Sequence, residues 1–284
     1  MEDLNVFTVT PMNQKLDLDP GKTYTGSITV VNPDNATKDF KYKASISSYG
    51  VVGEGYDVDF VTQSEHTQIV DWIKIENPTG TIKPNGTAKV NFTIKVPRTA
   101  PAGGQYATIL VSSADDGDSG DGLAVKNIFE MASIIYANVS GETKHEGEIL
   151  DNHVPGFVTS IPIQVSAGFK NDGNSHEYAR ISLQVKSVFS SSLIYPTEDE
   201  SGVVEEVIMP GTTRYTAKNI EGISPLGIYE VTQTVNYMGD VKTVKQIVIA
   251  SPIWFMALVL LTIGAIVLTI VASIKKHRHK RDVF

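Results

Sequence analysis

The segment Pro252–Ile274 constrains the fold most, because it runs for 23 residues without a charged side chain. At ~1.5 Å per residue, a helix of this length is about 34 Å long and crosses a hydrocarbon core about 30 Å thick. A buried core helix of a soluble protein would carry a polar face, which this segment lacks. The sequence therefore predicts one C-terminal transmembrane helix over residues 252–274.

The residues that flank this segment predict its orientation. Trp254 and Phe255 stand at the first end, where interfacial aromatic anchors lie, and the tail 275–284 includes Lys275, Lys276 and Arg278. The positive-inside rule places this basic tail in the cytoplasm and everything before residue 252 outside the cell membrane. In the alternative topology, a tail-anchored protein with a cytoplasmic head, the basic tail would lie on the wrong side.

An extracellular N-terminal region needs an export signal, and Met1–Leu4 has neither a basic n-region nor an apolar core. We therefore expect that a signal peptide has been removed. The chain contains no cysteine, which excludes a disulfide scaffold, a thiolate metal site and a cysteine nucleophile. An exported region without disulfides favours a bacterium that lacks an oxidising periplasm.

The charge balance argues against nucleic-acid binding. Five of the 24 basic residues and one of the 32 acidic residues lie in 275–284, which leaves 19 basic and 31 acidic residues, a net charge of −12, before that tail. Nucleic-acid affinity comes largely from basic side chains that neutralise phosphates, and an acidic region does not supply them.

Apolar residues alternate with polar ones along most of residues 5–250, as in the runs Ile28–Val30, Phe40–Ile46 and Val90–Val96. Period two with many Thr, Val, Ile and Tyr residues predicts half-buried strands. Turn signals such as Pro20-Gly21 and Pro210-Gly211 interrupt the runs about every ten residues. We predict an all-β fold, with two tandem immunoglobulin-like β-sandwich domains followed by the transmembrane helix.

Turn chemistry repeats within the chain and sets the predicted domains. The segment from Asn32 parallels that from Asn171, and Pro101–Tyr106 parallels Pro225–Tyr229. The spacing is longer in the first copy, which predicts an insertion there. The predicted boundaries are 1–143 for the first sandwich with an insertion at about 49–79, 144–251 for the second sandwich, 252–274 for the helix and 275–284 for the basic cytoplasmic tail.

Nothing in the sequence carries a reaction, and we expect no enzyme. Gly117–Gly120 resembles the nucleophile motif of chymotrypsin-like proteases, but Asp121 stands where that motif has glycine, and no partner histidine is indicated for Ser119. The same loop offers carboxylates that suit calcium, although their spacing does not match the calcium-loop template. We expect a solvated loop with no cofactor, and a weak calcium site is the alternative; its ligands would be Asp115, Asp116, Asp118 and Asp121.

The insertion supplies the candidate ligand-binding residues, because its aromatic side chains alternate with carboxylates. Exposed aromatic residues beside carboxylates on loops of a rigid sandwich suit sugar rings or a partner protein. The four candidates are Tyr49, Tyr56, Phe60 and Trp72. In the alternative interpretation, Phe60 and Trp72 close the open edge of the sandwich. In the predicted span, small residues from Ala257 to Ser273 share one helical stripe, which permits lateral self-association.

Several stretches are similar to the WxL-interacting family of Gram-positive surface proteins. They are Phe7–Pro11, Leu18–Gly21, Gly103-Gly104, Tyr136–Lys144, Ile149–Pro155 and Phe169–Asn174. The resemblance implies two immunoglobulin-like domains and a C-terminal membrane anchor. It also implies that the membrane-distal domain binds peptidoglycan and that the second domain binds a host or partner surface protein.

The leading hypothesis is a non-enzymatic, single-pass bacterial surface protein, anchored in the lipid bilayer, that binds cell-wall polymer or another surface protein and acts in adhesion. The alternative is a structural scaffold or stalk component that joins an envelope assembly by strand addition. Self-association or co-purification with a protein would favour the scaffold.

Overall fold

The computed structural model describes residues 7–53, 56–114, 129–197 and 201–281, with side chains described up to residue 274. The fold is mostly β, with sheets packed as sandwiches and one C-terminal apolar helix. The chain divides into two compact units. The first unit contains 1–147 with 170–177 and 207–214, and the second contains 148–169, 178–206 and 215–284.

The first eleven strands lie in the first unit, with one short 3₁₀ helix at Gln68–Trp72. The strands are β1 (Thr8–Thr10), β2 (Asn13–Leu18), β3 (Thr23–Val31), β4 (Phe40–Ser48), β5 (Gly50–Val52), β6 (Asp57–Asp59), β7 (Ile73–Ile75), β8 (Thr79–Ile82), β9 (Thr87–Lys95), β10 (Gly103–Ser113) and β11 (Glu130–Val139). They form a four-stranded sheet β1-β3-β9-β7, a five-stranded sheet β2-β11-β10-β4-β8 and a small hairpin β5-β6. That hairpin lies in the predicted insertion.

The core of the first unit follows the predicted alternation. Every second residue of β9 is buried at Val90, Phe92 and Ile94, and β4 buries Phe40, Tyr42 and Ala44 in the same way. Branched and aromatic side chains at period two place one apolar face of each sheet against the other. The prediction of half-buried strands is confirmed in these segments.

The remaining strands begin with β12 (Gly147–His153). They continue with β13 (Phe157–Val158), β14 (Ile163–Asn171), β15 (Glu177–Ser187), β16 (Leu193–Tyr195), β17 (Val203–Ile208), β18 (Thr213–Ile220), β19 (Gly227–Tyr237) and β20 (Asp240–Ala250). Their sheets are β12-β14-β18 and β13-β20-β19-β15-β16, with β17 also paired to β15. Buried Val165, Leu183, Val231 and Val248 form the core between them.

The two copies of the predicted repeat each bury an asparagine that has the same role. The Asn32 side-chain amide donates to the carbonyls of Lys38 and Ile82, both at 3.0 Å. The Asn171 amide donates to the carbonyls of Ser175 at 2.8 Å and Ile208 at 2.9 Å. In each copy a single amide group thus joins the turn to a strand end that is distant in sequence.

The last element is the helix α1 (Ile253–Arg281). Its portion Ile253–Ile274 spans 22 residues and is long and apolar enough to cross a membrane. Trp254 is exposed at its first end, with its ring centroid 5.8 Å from that of Phe255. This position fits the predicted aromatic anchor, whereas the side chains of Lys275, Lys276 and Arg278 lie outside the described residues.

Candidate ligand-binding site

Three tyrosines of the first unit form the centre of an aromatic cluster. Tyr49 follows β4, and Tyr106 and Tyr136 come from the paired strands β10 and β11, where they lie opposite each other. The Tyr136 ring meets that of Tyr49 at 5.5 Å and that of Tyr106 at 6.0 Å, both edge to face. The Tyr136 hydroxyl donates to the Tyr49 hydroxyl at 3.0 Å, so the polar ends of these buried rings are paired.

His176 packs against the same rings. Its backbone N–H donates to the Tyr106 hydroxyl at 2.8 Å, and its ring centroid lies 5.3 Å from that of Tyr136. Burial lowers the pKa of His176 to about 4, and the positive charge of Lys15 lowers it further. The imidazole is therefore neutral at physiological pH and packs on the rings of Tyr106 and Tyr136.

Tyr56 extends the cluster from the turn between β5 and β6. Its hydroxyl accepts the Met209 backbone N–H at 2.5 Å and lies 3.2 Å from the Thr212 hydroxyl oxygen. The Arg214 guanidinium lies over the Tyr56 ring, 4.6 Å from its centroid. Burial raises the pKa of Tyr56, so the phenol stays protonated at neutral pH. These contacts fix the segment 207–214 against the β5-β6 hairpin.

A cavity of about 190 Å³ opens beside the cluster. Its lining is mainly apolar and includes Tyr49, Tyr106 and Met209. The polar lining residues are Asp59, Thr62, Ser64, His66 and Thr67 of the insertion together with Thr212. Pockets for drug-sized ligands begin near ~300 Å³, so this cavity suits one small ring or one side chain. A mainly apolar lining with a few hydroxyl and carboxylate groups is typical of sites that hold a partly polar ring.

The polar side of the cavity is held by local hydrogen bonds. The Asp59 carboxylate accepts the backbone N–H groups of Val61 at 2.9 Å and Thr62 at 3.0 Å. Hydrogen bonding from Thr62 and Val61 keeps the pKa of Asp59 below its usual value, so it is ionised at neutral pH. His66 Nδ1 lies 3.0 Å from the Gly104 carbonyl oxygen, which fixes the ring at the cavity. The lining thus presents one carboxylate, one imidazole and several hydroxyls.

The structure brings together three of the four predicted ligand-binding residues. Tyr49, Tyr56 and Phe60 belong to the aromatic cluster, and the ring centroids of Tyr49 and Phe60 are 6.3 Å apart. Trp72 instead lies in the core of the first unit with 9% of its surface exposed. Ile69 and Trp72, three residues apart on the 3₁₀ helix, share its buried face.

The predicted calcium ligands lie outside the described residues, as does Ser119. They are Asp115, Asp116, Asp118 and Asp121. Among the residues that are described, no group of three or more His, Asp or Glu side chains is arranged to hold a metal ion.

Sequence reasoning did not assign Tyr106, Tyr136, His66, His176 or Met209 to the site. The repeat identified Tyr106 as the counterpart of Tyr229 in a turn motif, and Tyr136 appeared only in the stretch Tyr136–Lys144 that resembles the WxL-interacting family. Met209 and Thr212 join through contacts with Tyr56 across more than 150 residues of chain, and no local pattern signals such a contact.

Comparison with known proteins shows a limited likeness. No protein-family model matches the chain, and no curated protein sequence matches it. The class 5 fimbrial chaperone CfaA is 12% identical, over 85% of this chain and 99% of that chain, with a TM-score of 0.41.

A chaperone–tip adhesion subunit complex from the Csu pili of Acinetobacter baumannii is 13% identical, over 85% of this chain and 98% of that chain, with a TM-score of 0.40. The CupB2 chaperone of Pseudomonas aeruginosa is 11% identical, over 84% of this chain and 98% of that chain, with a TM-score of 0.38. At these values the likeness transfers no function to this chain.

Proposed function

We propose that the chain is a non-enzymatic bacterial surface protein, anchored by α1, that binds cell-wall peptidoglycan or another surface protein through the aromatic cavity of its first unit. In this proposal the described sheets are two tandem immunoglobulin-like domains, and the chain is a WxL-interacting protein. The tail after α1 is cytoplasmic, and the region before it is extracellular.

The cavity carries the proposal. A glycan ring has apolar C–H faces and polar hydroxyl edges, and a site for it combines aromatic walls with hydrogen-bonding groups. Tyr49 and Tyr106 contribute to the aromatic lining, and Asp59, Thr62 and Ser64 contribute acceptors and donors to the same cavity. The rigid tyrosine hydrogen bonds preorganise the wall, so little side-chain entropy is lost when a ligand binds.

The test is co-sedimentation of the full chain, in detergent micelles, with insoluble peptidoglycan sacculi. The full chain is required because Met209, Pro210 and Thr212 line the cavity and a fragment ending at residue 143 lacks them. Thr62→Trp introduces an indole into the cavity, whereas Val61→Trp places one on the neighbouring residue, which is 84% exposed and does not line the cavity. We expect Thr62→Trp to abolish co-sedimentation and Val61→Trp to retain it.

The outcomes separate the two parts of the proposal. If the parent chain sediments and both variants still bind, the cavity is not the site. If the parent chain does not sediment, peptidoglycan is not the ligand, and the surface-protein interpretation is tested by cross-linking on intact cells with the same two variants.

The net charge of −12 before the tail adds an electrostatic expectation. Anionic wall polymers repel such a surface unless divalent cations bridge the charges, so wall binding responds to salt and to divalent ions. Binding that ignored both would contradict this part of the proposal.

The scaffold alternative rests on an edge strand. In the described part of the chain, β18 ends the order of the sheet β12-β14-β18, with Tyr215 exposed on it. Such an edge accepts an added strand from a partner. The test is self-association of the full chain in detergent micelles. Self-association that is lost in Tyr215→Pro but kept in Tyr215→Ser would favour the scaffold over the wall-binding function.

A further inference from the structure

The end of the second unit that adjoins α1 has an unusual surface. β20 ends at Ala250 and α1 begins at Ile253, so only Ser251 and Pro252 link the sandwich to the helix. The link is held in place because the Ser251 N–H donates to the Val158 carbonyl at 3.0 Å. Three residue steps span at most about 11 Å, so this end of the sandwich stays close to the first turn of the helix.

Strand register shows which residues lie at this end. Gly227 pairs with Ala250, and Ile228 pairs with Ile249. Phe157 also pairs with Ile249, from the other side of β20. The loop after β15 reaches the same level, because the Val188 N–H donates to the Ile228 carbonyl at 3.1 Å.

Large apolar side chains are exposed at this level. We define the helix-proximal rim as Phe157, Val188, Phe189, Leu226 and Ile249. Phe189 is 81% exposed, and the other four are between 42% and 48% exposed. An exposed group of large apolar side chains on one end of a domain indicates an interaction surface.

The loops of the rim are almost free of charge, although the region before the tail is acidic. Residues 155–162 and 188–192 contain no charged residue, and 221–226 contain only Glu221. The nearest charges up the sheet include Glu230 and Lys245, which pair with each other at 2.9 Å. An acidic surface is repelled from anionic lipid headgroups, whereas an uncharged apolar rim is not.

We infer that the helix-proximal rim inserts into the interfacial region of the same bilayer that α1 crosses, so that the second unit rests on the membrane. The inference depends on the proposed function only in that α1 is the membrane anchor. Apolar side chains on interfacial elements enter the headgroup region by about 5–10 Å, a depth that the two phenylalanines and the aliphatic side chains of the rim suit. The short link to α1 brings them to that depth without any partner protein.

The absence of cysteine makes the test direct, because one introduced cysteine gives one labelled position. The full chain is reconstituted in vesicles of phosphatidylcholine and phosphatidylglycerol and carries an environment-sensitive fluorophore at Ser190→Cys, beside Phe189. The matched control is Val241→Cys, exposed on β20 at the opposite end of the same strand pair, about 26 Å from Ile249 at ~3.3 Å per residue. A third label, at Ala265→Cys, reports whether α1 spans the bilayer.

We expect the label at 190 to be quenched by shallow nitroxide lipids and to be quenched several-fold less by aqueous iodide than the label at 241. Equal iodide quenching at 190 and 241 would overturn the inference. Protection from iodide without nitroxide quenching would also overturn it, because a second copy or another protein would then cover the rim. If deep nitroxide lipids fail to quench the label at 265, the anchor itself is wrong, which separates the two failures.

A second measurement examines the cause of the protection. Phe157→Ser with Phe189→Ser, in the 190-labelled chain, removes the two largest apolar side chains of the rim. Both side chains are exposed, so we expect the fold to be retained. Far-UV circular dichroism checks this. We expect iodide quenching at 190 to rise to the level of the 241 control, and Val241→Ser to leave it unchanged. Unchanged protection after the double substitution would contradict insertion through these side chains.

Discussion

Asn32 and Asn171 occupy equivalent places in the two copies of the repeat, but they complete their hydrogen bonds differently. The Asn171 side-chain oxygen accepts the Gly173 N–H at 2.9 Å, whereas the buried Asn32 side-chain oxygen has no partner among the described residues. Pro33 follows Asn32 and fixes φ, and its carbonyl accepts the Ala36 N–H at 3.1 Å. The first turn is thus set by proline, and the second by the asparagine itself.

The two copies also differ at their Gly-x-Tyr motifs, which are Gly104-Gln105-Tyr106 in the first copy and Gly227-Ile228-Tyr229 in the second. The Tyr229 hydroxyl donates to the Ser224 carbonyl at 2.8 Å, five residues before it, and closes its own loop. The Tyr106 hydroxyl instead accepts the His176 N–H, 70 residues away. The tyrosine hydroxyl of the motif therefore completes a turn in one copy and holds the aromatic cluster of the candidate site in the other.

The largest expected loss of unfolding free energy comes from substituting the glycine of each motif. A Cβ at Gly104 would lie 1.8 Å from the Tyr106 hydroxyl oxygen, against 2.5 Å for Gly227 and Tyr229. Gly104→Ala displaces a fully buried ring and breaks its hydrogen bond, which costs about 3–5 kcal/mol of unfolding free energy. Gly227→Ala costs about 1–2 kcal/mol, because Tyr229 shifts toward its own partly exposed loop.

Urea unfolding of the full chain in detergent micelles measures this difference. Trp72 fluorescence, in a Trp254→Phe background, reports on the first unit alone, because the chain has two tryptophans. Circular dichroism reports on both units. Equal losses for the two glycine variants would show that the two motifs are equivalent after all.

Substituting Asn32 and Asn171 gives the next largest expected loss of unfolding free energy. Asn32→Ala leaves two carbonyls without their donor and costs about 2–3 kcal/mol. Asn171→Ala also removes the bond from Gly173, and we expect it to cost about 1 kcal/mol more. The midpoints of urea unfolding compare the two. An equal cost would mean that the side-chain oxygen of Asn171 adds nothing, and the contrast with Asn32 would fail.

Removing the tyrosine hydroxyls gives a smaller effect. Tyr106→Phe leaves the His176 N–H without its acceptor in a buried cluster and costs about 2 kcal/mol. Tyr229→Phe costs about 0.5–1 kcal/mol, because water reaches the Ser224 carbonyl in its exposed loop. Hydrogen exchange of the His176 amide provides the local measurement. Faster exchange is expected in Tyr106→Phe only, and unchanged exchange there would contradict the long-range role of this hydroxyl.

The smallest effect is a pH dependence of stability. The His176 pKa is about 4 in the folded chain, against about 6.5 unfolded, so the unfolded chain binds an extra proton between these values. The free energy of unfolding therefore falls as pH drops from 6.5 to 4, by about 1–2 kcal/mol for this partly exposed ring.

His176→Phe keeps an aromatic ring and should flatten this part of the pH profile. His153→Gln, at an exposed histidine, is the control for the loss of one imidazole. A profile that is equally steep in His176→Phe would assign the acid sensitivity to other groups.

Local patterns in the sequence predicted much of the fold. Alternation in β4 and β9 identified strands and their buried faces, because a pleated strand sends successive side chains to opposite sides. The apolar segment before the basic tail identified α1, and the turn chemistry identified the repeat that Asn32 and Asn171 share. Each of these features depends on residues within one element or one turn.

The candidate site was predicted less completely. Tyr49, Tyr56 and Phe60 were selected because aromatic residues alternate with carboxylates, and the same criterion selected Trp72. Composition does not show which face of a short helix packs inward, and Trp72 shares the inward face with Ile69. The binding role of all four residues stays a prediction.

By itself, the sequence determined the strand pattern, the single apolar helix and the internal repeat, since each arises from spacing along one stretch of chain. Only the tertiary structure decided that Tyr106 and Tyr136 join Tyr49, and that Met209 and Thr212 complete a cavity with the insertion. The physical reason is that strand register and loop docking bring together residues that are distant in sequence, and the balance of packing and hydrogen bonds across the whole unit selects them.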